Sequence, residues 1–461
     1  MENDIFQGYK GSALEILKKY HVRVWGQTKV ETTRGTFEGT VLPRSENDDD
    51  KHIVLKIITG YNIGIDVNTI ENMKETGYKK ANYKIPEKEF PYTPGLPRVK
   101  LFGTGGTIAS RLDYRTGAVI PAFSPGELYG AVPELADICN LETEKVFAVF
   151  SENMGPKQYV SLAKAIGKEI ERGVDGIVIG HGTDTLHHTG AALTFMCQNL
   201  PVPVVLVGSQ RSSDRPSSDA ALNLMHAMKA AGHSDIAEVM ICMFGPTSDE
   251  YGLLHKGTRV RKMHSSYRST FRTIGDTPLA RISRKEINPI KKNYNKRRID
   301  KSVKILPFFS NSVTMLYYYP GMKPDVLDAL VDLGYKGIIF VGTGLGHVNK
   351  ELYPAIERAQ KKGVHMFMTL QTIWGYVHMF VYDTGRDMMA KGIIPTGNML
   401  PEVAWVKLSW VLGQTDDPEE VKKLMLTSVN DEITLREPYN GYLVYQGGVP
   451  ETEEFIRKVH K

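Results

Sequence analysis

The stretch RVKLFGTGGTIAS (residues 98–110) decides the fold, because an apolar strand leads directly into a glycine-rich turn. Strands that are apolar throughout are typical of parallel sheets buried on both faces. Four similar runs follow: VFAVF (146–150), GIVIG (176–180), PVVLVG (203–208) and VMICMFG (239–245). Amphipathic segments separate these runs, and in one of them Leu162, Ile166 and Ile170 recur at four-residue spacing. The alternation predicts a doubly wound α/β domain over residues 98–290.

A second α/β segment extends from residue 303 to residue 461. It contains VKILPFF (303–309), a helical pattern at 325–334, the strand KGIIFVGTG (336–344) and a helical pattern at 349–363. Together the two segments predict a two-domain α/β fold with a parallel sheet.

The first 82 residues have a different pattern. A short helix is predicted at 12–20, and four β-rich runs follow: VRVW (22–25), TFEGTVL (36–42), HIVLKII (52–58) and YNIGIDV (61–67). Glycines and an acidic loop separate the runs, as in small barrels with tight turns. We therefore predict an SH3-like β-barrel that binds a partner. Four prolines within residues 83–97 predict an extended linker between this barrel and the first α/β domain.

The composition excludes several classes of protein. With 41% hydrophobic and 24% charged residues, the chain resembles soluble globular proteins. Its three cysteines are widely separated and odd in number, which argues against a disulfide framework. Its apolar runs are much shorter than the roughly 20 residues of a membrane helix. We therefore predict a cytoplasmic protein without membrane contact, and the net charge of +5 permits a basic patch without requiring one.

The turn GTGGT has two interpretations. Glycines after a strand often hold a phosphate, but the Lys-Ser or Lys-Thr of a P-loop is missing, as is the full GxGxxG spacing. The next residues, SRLDYRTG, are turn-like, so they predict no helix N-terminus to bind a pyrophosphate. Alternatively, the glycines expose the hydroxyl of Thr104 or Thr107. A hydroxyl needs an activating group, and Tyr114 could supply it from a segment that closes over the site as a lid.

A second cluster, HGTDT (181–185), follows the strand GIVIG. Thr183 and Asp184 offer a hydroxyl and a carboxylate at the C-terminal end of a strand, where open α/β sheets bind their ligands. Asp184 is alternatively the N-cap of the helix that follows. Lys262, in the basic stretch RVRKMHSS, could complete a Thr–Lys–Asp relay if it lay close by, which the sequence alone does not show.

Three histidines, His181, His187 and His188, raise the question of a metal site. The HExxH spacing is missing, and adjacent histidines on a helix are expected to point apart. We therefore predict ordinary helix residues at His187 and His188, and no bound metal.

A basic segment, KEINPIKKNYNKRRIDK (residues 285–301), lies between the two α/β segments. We interpret it as a solvated connection. The alternative is a contact with a polyanion such as tRNA, whose phosphates attract clustered lysines and arginines.

Taken together, TGGTIA (104–109) and HGTDT resemble the two signature motifs of the bacterial-type asparaginase/glutaminase family. The resemblance extends from about residue 98 to beyond residue 407. It includes SENM, VPVVLVGSQR, RVRKMHSS, VGTGLGHV and GNMLPEVAWVKL. Carried over motif by motif, it implies catalytic roles for Thr107, Tyr114, Thr183, Asp184 and Lys262. It also implies that Ser151 and Asp184 hold the α-carboxylate and α-amino ends of the substrate.

The resemblance implies hydrolysis of an amide to a carboxylate and ammonia. Thr107 would attack the side-chain amide carbon, and Tyr114 would help to activate it. No cofactor is expected in this subunit. Because active sites of the family lie near a dimer interface, the resemblance also implies a homodimer through the asparaginase-like domains. The family's carboxylate from the neighbouring subunit has no counterpart that the sequence identifies.

The family leaves two interpretations of the whole chain. A free-standing asparaginase has no need of the barrel and linker, so these favour the glutaminase subunit of a tRNA-dependent amidotransferase. Such a subunit would hydrolyse glutamine and deliver ammonia to its partner, the E-type subunit of the amidotransferase, which would bind ATP and Mg²⁺ and most of tRNA(Gln). A dimer of heterodimers is then expected. A third alternative is a non-catalytic scaffold that binds tRNA.

Overall fold

The computed structural model describes residues 5–44, 48–59, 61–78, 90–105, 132–211, 217–298 and 302–438, together with the backbone of 110–112 and 119–121. None of the helices in these ranges combines the length with the apolar character that a membrane span requires. The predicted boundary between barrel and linker lies within residues 79–89, outside the described residues, so the domain limits stay a prediction.

Residues 5–78 form the small β domain. Its elements are α1 (Gly11–Lys19), β1 (Gly26–Thr32), β2 (Gly35–Val41), β3 (His52–Ile57), β4 (Asn62–Asp66), a 3-10 turn (Val67–Thr69) and β5 (Ile70–Tyr78). The antiparallel strands lie in the order β4-β3-β2-β1-β5. Leu17 of the helix shares one core with Val30 and Leu55 of the sheet. The predicted small β domain is thereby confirmed.

The strand predicted at residues 22–25 is wrong. The nearby strand β1, which lies between β2 and β5, begins only at Gly26, and its buried positions alternate with more exposed ones. Two of the buried positions are Thr28 and Thr32, so the strand lacks the apolar run that a sequence pattern would detect. The polar strand β5 was missed for the same reason.

Residues 98–298 form the amino-terminal lobe. Its strands and helices are β6 (Arg98–Gly103), β7 (Ser110–Leu112), β8 (Val119–Pro121), β9 (Asn140–Lys145), α2 (Pro156–Glu171), β10 (Gly176–Gly180), α3 (Leu186–Met196), β11 (Cys197–Gln198), β12 (Val204–Val207), α4 (Ala220–His233), β13 (Val239–Phe244), β14 (Gly252–Lys256), β15 (Val260–Lys262), β16 (Phe271–Thr273), β17 (Ala280–Ile282) and β18 (Ile287–Pro289), with 3-10 turns at Pro133–Asp137 and Ser151–Asn153.

The main sheet of this lobe has the strand order β18-β17-β14-β13-β12-β10-β6-β9. The five strands from β13 to β9 are parallel, and β14, β17 and β18 extend the sheet by antiparallel pairing. Ile177 and Ile179 contribute to the core on one face, and Val178 contributes to the core on the other. A parallel sheet buried on both faces is therefore confirmed.

The strand predicted at residues 146–150 is also wrong. The strand at this place is β9, whose sequence NLETEK is polar. It lies at the edge of the described sheet, next to β6, so it does not need apolar side chains on both faces. Val146 and Phe147 instead donate their backbone N–H groups to the carbonyl oxygen of Gly103, where β6 ends.

Residues 304–438 form the carboxy-terminal lobe. Its elements are β19 (Lys304–Ile305), β20 (Val313–Tyr317), α5 (Pro324–Asp332), β21 (Gly337–Gly342), a 3-10 turn (Lys350–Leu352), α6 (Tyr353–Lys361), β22 (His365–Leu370), α7 (Asp383–Ala390), β23 (Ile393–Pro395), α8 (Pro401–Leu412) and α9 (Pro418–Leu426). The strands β20 to β23 form a parallel sheet in chain order.

The two lobes share a continuous apolar core. Helix α3 of the amino-terminal lobe packs against α8 of the carboxy-terminal lobe. The rings of Phe195 and Trp410 stack across this contact with their centroids 5.8 Å apart. Strand β19 also pairs with β11, so hydrogen bonds add to the apolar contact. The lobes are therefore held together firmly enough for residues of one to position residues of the other.

Candidate active site

Two neighbouring parallel strands, β6 and β10, end side by side at Gly103 and Gly180. Beyond β6, Thr104 donates from its backbone N and its Oγ1 to the carbonyl oxygen of Gly180, at 3.1 and 2.8 Å. The TGGT and HGTDT motifs therefore begin at the same edge of the sheet. Thr104 is fully buried and joins the two strand ends, so its hydroxyl has a structural role.

Gly105 shows why this turn needs a glycine. Its φ is +114°, a conformation that side chains disfavour, and an added Cβ would lie 2.2 Å from the carbonyl oxygen of Val149. Residues 106–109 and 113–118 are outside the described residues, and they include Thr107 and Tyr114. Their catalytic roles stay predictions.

Three of the predicted site residues come together although they are distant in sequence. Lys262 Nζ donates to Thr183 Oγ1 at 2.9 Å and to Asp184 Oδ1 at 2.7 Å. Thr183 is buried, and the Lys262 side chain is only 10% exposed, whereas the Asp184 side chain is 68% exposed. The lysine thus links a buried hydroxyl to a carboxylate that solvent or a ligand can reach.

Two elements present these groups. Thr183 and Asp184 lie in the turn between β10 and α3, whereas Lys262 is the last residue of β15. Strand β15 pairs with β16, and Lys262 lies opposite Phe271, which is fully buried. The N-cap interpretation of Asp184 is wrong, because α3 begins at Leu186 with Thr185 in the cap position.

Ser151 lies against the same turn. Thr185 Oγ1 donates to the carbonyl oxygen of Ser151 at 2.6 Å. A Cβ added to Gly182 would come within 2.8 Å of the Ser151 Cβ, so the turn and the serine are packed closely. Ser151 is buried against the turn that carries Asp184, so the two residues proposed to hold the substrate lie close together at the strand ends.

The buried imidazole of His181 contacts the turn and the helix that follows it. Its Nδ1 is 2.6 Å from the carbonyl oxygen of Gly182, and its Nε2 is 2.9 Å from Thr189 Oγ1. Since a carbonyl only accepts, Nδ1 carries the proton and Nε2 accepts from the hydroxyl. Complete burial lowers the pKa of His181 to about 4, so the imidazole is neutral at physiological pH. Its role is to fix the turn.

The expectation that His187 and His188 point apart is wrong. Their rings on helix α3 are 4.4 Å apart between centroids, with His187 buried and His188 half-buried. Burial lowers the pKa of His188 to about 4 and that of His187 well below its usual value, and nearby cations add to the effect at both. Among the described residues, no group of three or more metal-ligating side chains is assembled.

The sequence analysis missed two charged residues near the site, Arg261 and Glu402. Arg261 lines the same open cleft as Asp184, His187 and Lys262. Arg261 Nε forms an ion pair at 3.7 Å with Glu402 Oε1, which comes from the first turn of α8. The only sequence signal is that both residues lie in stretches shared with the family, RVRKMHSS and GNMLPEVAWVKL. Nothing in the sequence indicates that these stretches meet.

The basic segment 285–301 is not simply a solvated connection. Arg297 donates to the carbonyl oxygens of Ala231, Gly232 and Ser234 at the C-terminal end of α4. A guanidinium is favourable there, because the last carbonyls of a helix lack partners within the helix. Arg297 thus has a structural role, whereas Lys296 and Arg298 are exposed.

The chain matches three family models, in the order of the parts described above. Residues 23–74 match the GatD N-terminal domain. Residues 98–295 match the N-terminal part of asparaginase, and residues 312–425 match the glutaminase/asparaginase C-terminal domain.

Curated relatives match nearly the whole chain. It is 46% identical over 438 residues to the D-type subunit (GatD) of glutamyl-tRNA(Gln) amidotransferase from Methanopyrus kandleri, covering 93% of this chain and 95% of that relative. The GatD proteins of Pyrococcus abyssi and Thermococcus kodakarensis are 46% and 47% identical, over 94% and 93% of this chain and 99% and 98% of theirs.

Solved asparaginases match a smaller part. The thermostable L-asparaginase from Thermococcus kodakarensis is 31% identical with a TM-score of 0.65, covering 73% of this chain and 99% of its own. L-asparaginase I from Vibrio cholerae is 27% identical with the same TM-score, covering 74% and 100%. The chain therefore belongs to the GatD family of glutamyl-tRNA(Gln) amidotransferase subunits, a branch of the asparaginase/glutaminase family that carries an additional N-terminal domain.

Proposed function

We propose that this chain is the glutamine-hydrolysing subunit of a tRNA-dependent amidotransferase. It would release ammonia from glutamine and pass it to a partner subunit that converts Glu-tRNA(Gln) to Gln-tRNA(Gln). The observation that carries the proposal is the contact of Lys262 with both Thr183 and Asp184. The similarity to GatD proteins across 93–94% of the chain, including the small β domain, supports the tRNA-dependent role.

In the proposed reaction, the Thr107 hydroxyl attacks the side-chain amide carbon of glutamine, and Tyr114 assists by accepting its proton. The amide nitrogen leaves as ammonia after it receives a proton, and water then hydrolyses the ester to glutamate and free Thr107. A hydroxyl is a weak nucleophile, so each attack needs a group that removes a proton. Lys262, held by Thr183 and Asp184, is suited to transfer protons between the reacting atoms and solvent, as the histidine does in a serine triad.

The substrate would lie at the strand ends. The exposed carboxylate of Asp184 suits the α-amino group of an amino acid, because opposite charges attract across a partly desolvated site. Ser151, packed against Gly182, would donate to the α-carboxylate. No metal or nucleotide is assigned to this subunit in the proposal, and ATP and Mg²⁺ are assigned to the partner.

Two alternatives are less well supported. Free-standing asparaginases of known structure match 73–74% of this chain, whereas the small β domain has its counterpart in the GatD N-terminal domain model. A non-catalytic tRNA-binding scaffold would have no need to hold Lys262 between a hydroxyl and a carboxylate. We therefore prefer the amidotransferase role.

The proposal includes an assembly. The partner would be the E-type subunit of the amidotransferase, and two copies of this chain would associate through their asparaginase-like lobes to give a dimer of heterodimers. The tRNA would bind mainly to the partner. Because tRNA charging for translation is cytoplasmic, the proposed location is the cytoplasm.

The test is ammonia release from glutamine and from asparagine, measured with the purified chain alone and with its partner and charged tRNA. Thr107→Ala should abolish ammonia release, whereas Thr104→Ser, which keeps the buried hydroxyl, should retain it. Glutamine hydrolysis that rises when the partner and Glu-tRNA(Gln) are added supports the proposal. Equal activity with and without them would contradict the coupling, and preferential asparagine hydrolysis would favour the free-standing enzyme.

A further inference from the structure

Lys262 and the residues just before it contact both lobes of the protein. Arg261 and Lys262 are consecutive residues of β15, so their side chains extend to opposite sides of the strand, and Arg259 lies just before the strand begins. Lys262 contacts Thr183 and Asp184 of the amino-terminal lobe. Both arginines, by contrast, contact residues of the carboxy-terminal lobe. The short strand β15 is thus held from both sides.

Arg259 makes the stronger of the two contacts. Its side chain is fully buried, and it donates to the carbonyl oxygen of Asn398 at 2.8 Å and to Thr434 Oγ1 at 3.0 Å. Asn398 Nδ2 also donates to Thr434 Oγ1 at 2.7 Å, and Thr434 N donates to Asn398 Oδ1 at 2.9 Å. A buried charge requires such partners, because leaving it unpaired is costly.

Thr434 belongs to a segment that we call the strap, residues 428–437. The strap follows α9 and lies beyond residue 425, where the match to the glutaminase/asparaginase C-terminal domain ends. Glu432 fixes it to α8 through an ion pair with Lys407 at 2.6 Å, with both side chains fully buried. The strap is therefore anchored by a buried contact, and its position is tied to the carboxy-terminal lobe.

The strap also contacts the end of β14 and the turn that leads into β15. Lys256 Nζ donates to Asn430 Oδ1 at 2.7 Å and to Asp431 Oδ2 at 2.8 Å. Thr258 Oγ1 donates to the carbonyl oxygen of Asn430 at 2.7 Å. With Arg259, three residues of the segment 256–259 are bonded to the strap. This segment leads directly into the strand that ends at Lys262.

Arg261, the residue next to Lys262, makes a second contact with the carboxy-terminal lobe. Arg261 pairs with the buried carboxylate of Glu402, whose Oε1 is also 4.0 Å from His187 Nε2. Arg261 and His187 both line the cleft that contains Asp184 and Lys262. Glu402 thus anchors a residue adjacent to the lysine and faces a histidine of the cleft wall.

We propose that the strap and Glu402 are positioning elements of the amidase site, which hold β15 through Arg259 and Arg261 so that Lys262 Nζ stays within hydrogen-bond reach of Thr183 and Asp184. A lysine side chain is long and flexible, so the position of its amine depends on a fixed backbone. A displacement of about 1 Å at a reacting group can reduce the rate about 100-fold. This inference rests on the proposed amidase function.

The test compares three variants of the full chain in its complex. Thr434→Val keeps the shape but removes the hydroxyl that accepts from Arg259, Thr434→Ser keeps the hydroxyl, and Leu435→Ala changes a neighbouring strap residue that is 99% exposed. We expect Thr434→Val to lower kcat about 10-fold or more with KM changed less than about threefold. Thr434→Ser should restore kcat, and Leu435→Ala should match the wild type.

A merely structural strap would give a different result. In that case Thr434→Val would lower the melting temperature, but kcat per folded molecule would equal that of the wild type, and the proposal would be overturned. Glu402→Gln tests the second contact by the same criteria, with a fall in kcat at little-changed KM expected and an unchanged kcat counting against it.

Hydrogen exchange separates this proposal from the proposed function. Thr434→Val should accelerate amide exchange in the β15–β16 hairpin (260–273), and Thr434→Ser should not, whatever reaction the site performs. Faster exchange confined to the strap itself would overturn the proposal. If Lys262→Met leaves amide hydrolysis intact, the proposed catalytic role of the lysine fails, and the exchange result still decides whether the strap positions β15.

Discussion

Two lysine–carboxylate pairs of this protein have similar geometry and opposite surroundings. Lys262 lies 2.7 Å from Asp184, and Lys407 lies 2.6 Å from Glu432. Both members of the second pair are fully buried, and Lys407 also donates to the carbonyl oxygens of Met425 and Thr427. All three of its N–H groups therefore have protein acceptors.

The first pair is only partly enclosed. Asp184 is 68% exposed, and the second partner of Lys262 is a hydroxyl, which can accept or donate. A lysine whose partners can exchange protons with a ligand suits chemistry, whereas a lysine enclosed by three acceptors suits structure. The two pairs therefore differ in role although their distances are similar. The exposure of the carboxylate and the nature of the lysine's other partners distinguish them.

The largest expected effect is that of Lys262→Met on catalysis. The change removes the amine between Thr183 and Asp184, so amide hydrolysis should fall by about 10³-fold or more. The free energy of unfolding should fall by no more than about 1–3 kcal/mol, since the carboxylate left behind is exposed and only the buried hydroxyl of Thr183 loses its partner. Steady-state ammonia release and chemical denaturation measure the two quantities. Lys336→Met, which removes an exposed ion pair with Asp416, is the control and should leave activity unchanged. Comparable losses in both variants would refute the catalytic role.

The second prediction concerns Lys407→Met. It leaves Glu432 buried without its counter-ion, which should cost about 3–5 kcal/mol of unfolding free energy. The double variant Lys407→Met/Glu432→Leu should recover much of this loss, because no charge then remains buried. Urea denaturation of the three proteins tests the point. A single variant as stable as the wild type would show that the pair is not the structural one.

The third prediction concerns the turn that presents Thr183. His181 has a pKa of about 4 in the folded protein, against 6.5 when exposed, so the unfolded chain binds its proton first as the pH falls. Its contribution to stability is present above pH 6.5 and is lost between pH 6.5 and 4, by about 3 kcal/mol in total. His181→Gln should flatten the dependence of unfolding free energy on pH in this window. An unchanged slope would mean that His181 is not held neutral by the fold.

The smallest expected effects distinguish two neighbouring cations. Arg297→Ala leaves the carbonyls at the end of α4 without their donor and should cost about 1–3 kcal/mol of unfolding free energy. Lys296→Ala, at an exposed position, should change it by less than about 0.5 kcal/mol. Thermal or urea unfolding of both variants measures the contrast. Equal effects would contradict the structural role of Arg297.

Sequence patterns predicted the parallel sheet well, because buried parallel strands such as β10 and β12 are apolar without interruption. They failed where burial is one-sided. The edge strand β9 is polar, and the prediction placed the strand at the apolar residues after it. The inner strand β1 of the small β domain buries Thr28 and Thr32 in place of apolar residues.

The candidate site was predictable in part. Motif resemblance identified Thr183, Asp184 and Lys262, and the structure brings them together across 78 residues of sequence. Arg259, Glu402 and Thr434 were not predicted, because their importance depends on how the two lobes meet. Hydrophobic periodicity predicts individual strands and helices, and it does not predict a contact between residues as distant in sequence as those of β15 and the strap.

The central claim is that the amide nitrogen of glutamine reaches the tRNA-bound product through the site at Lys262. The direct measurement uses glutamine labelled with ¹⁵N in the side-chain amide, the complex of this chain with its partner, ATP and Glu-tRNA(Gln). We predict that the label appears in the glutamine attached to tRNA with the wild type and is lost with Lys262→Met, while unlabelled ammonium salts still support the product. Transfer of the label that is undiminished in Lys262→Met, or no transfer by the wild type, would contradict the account.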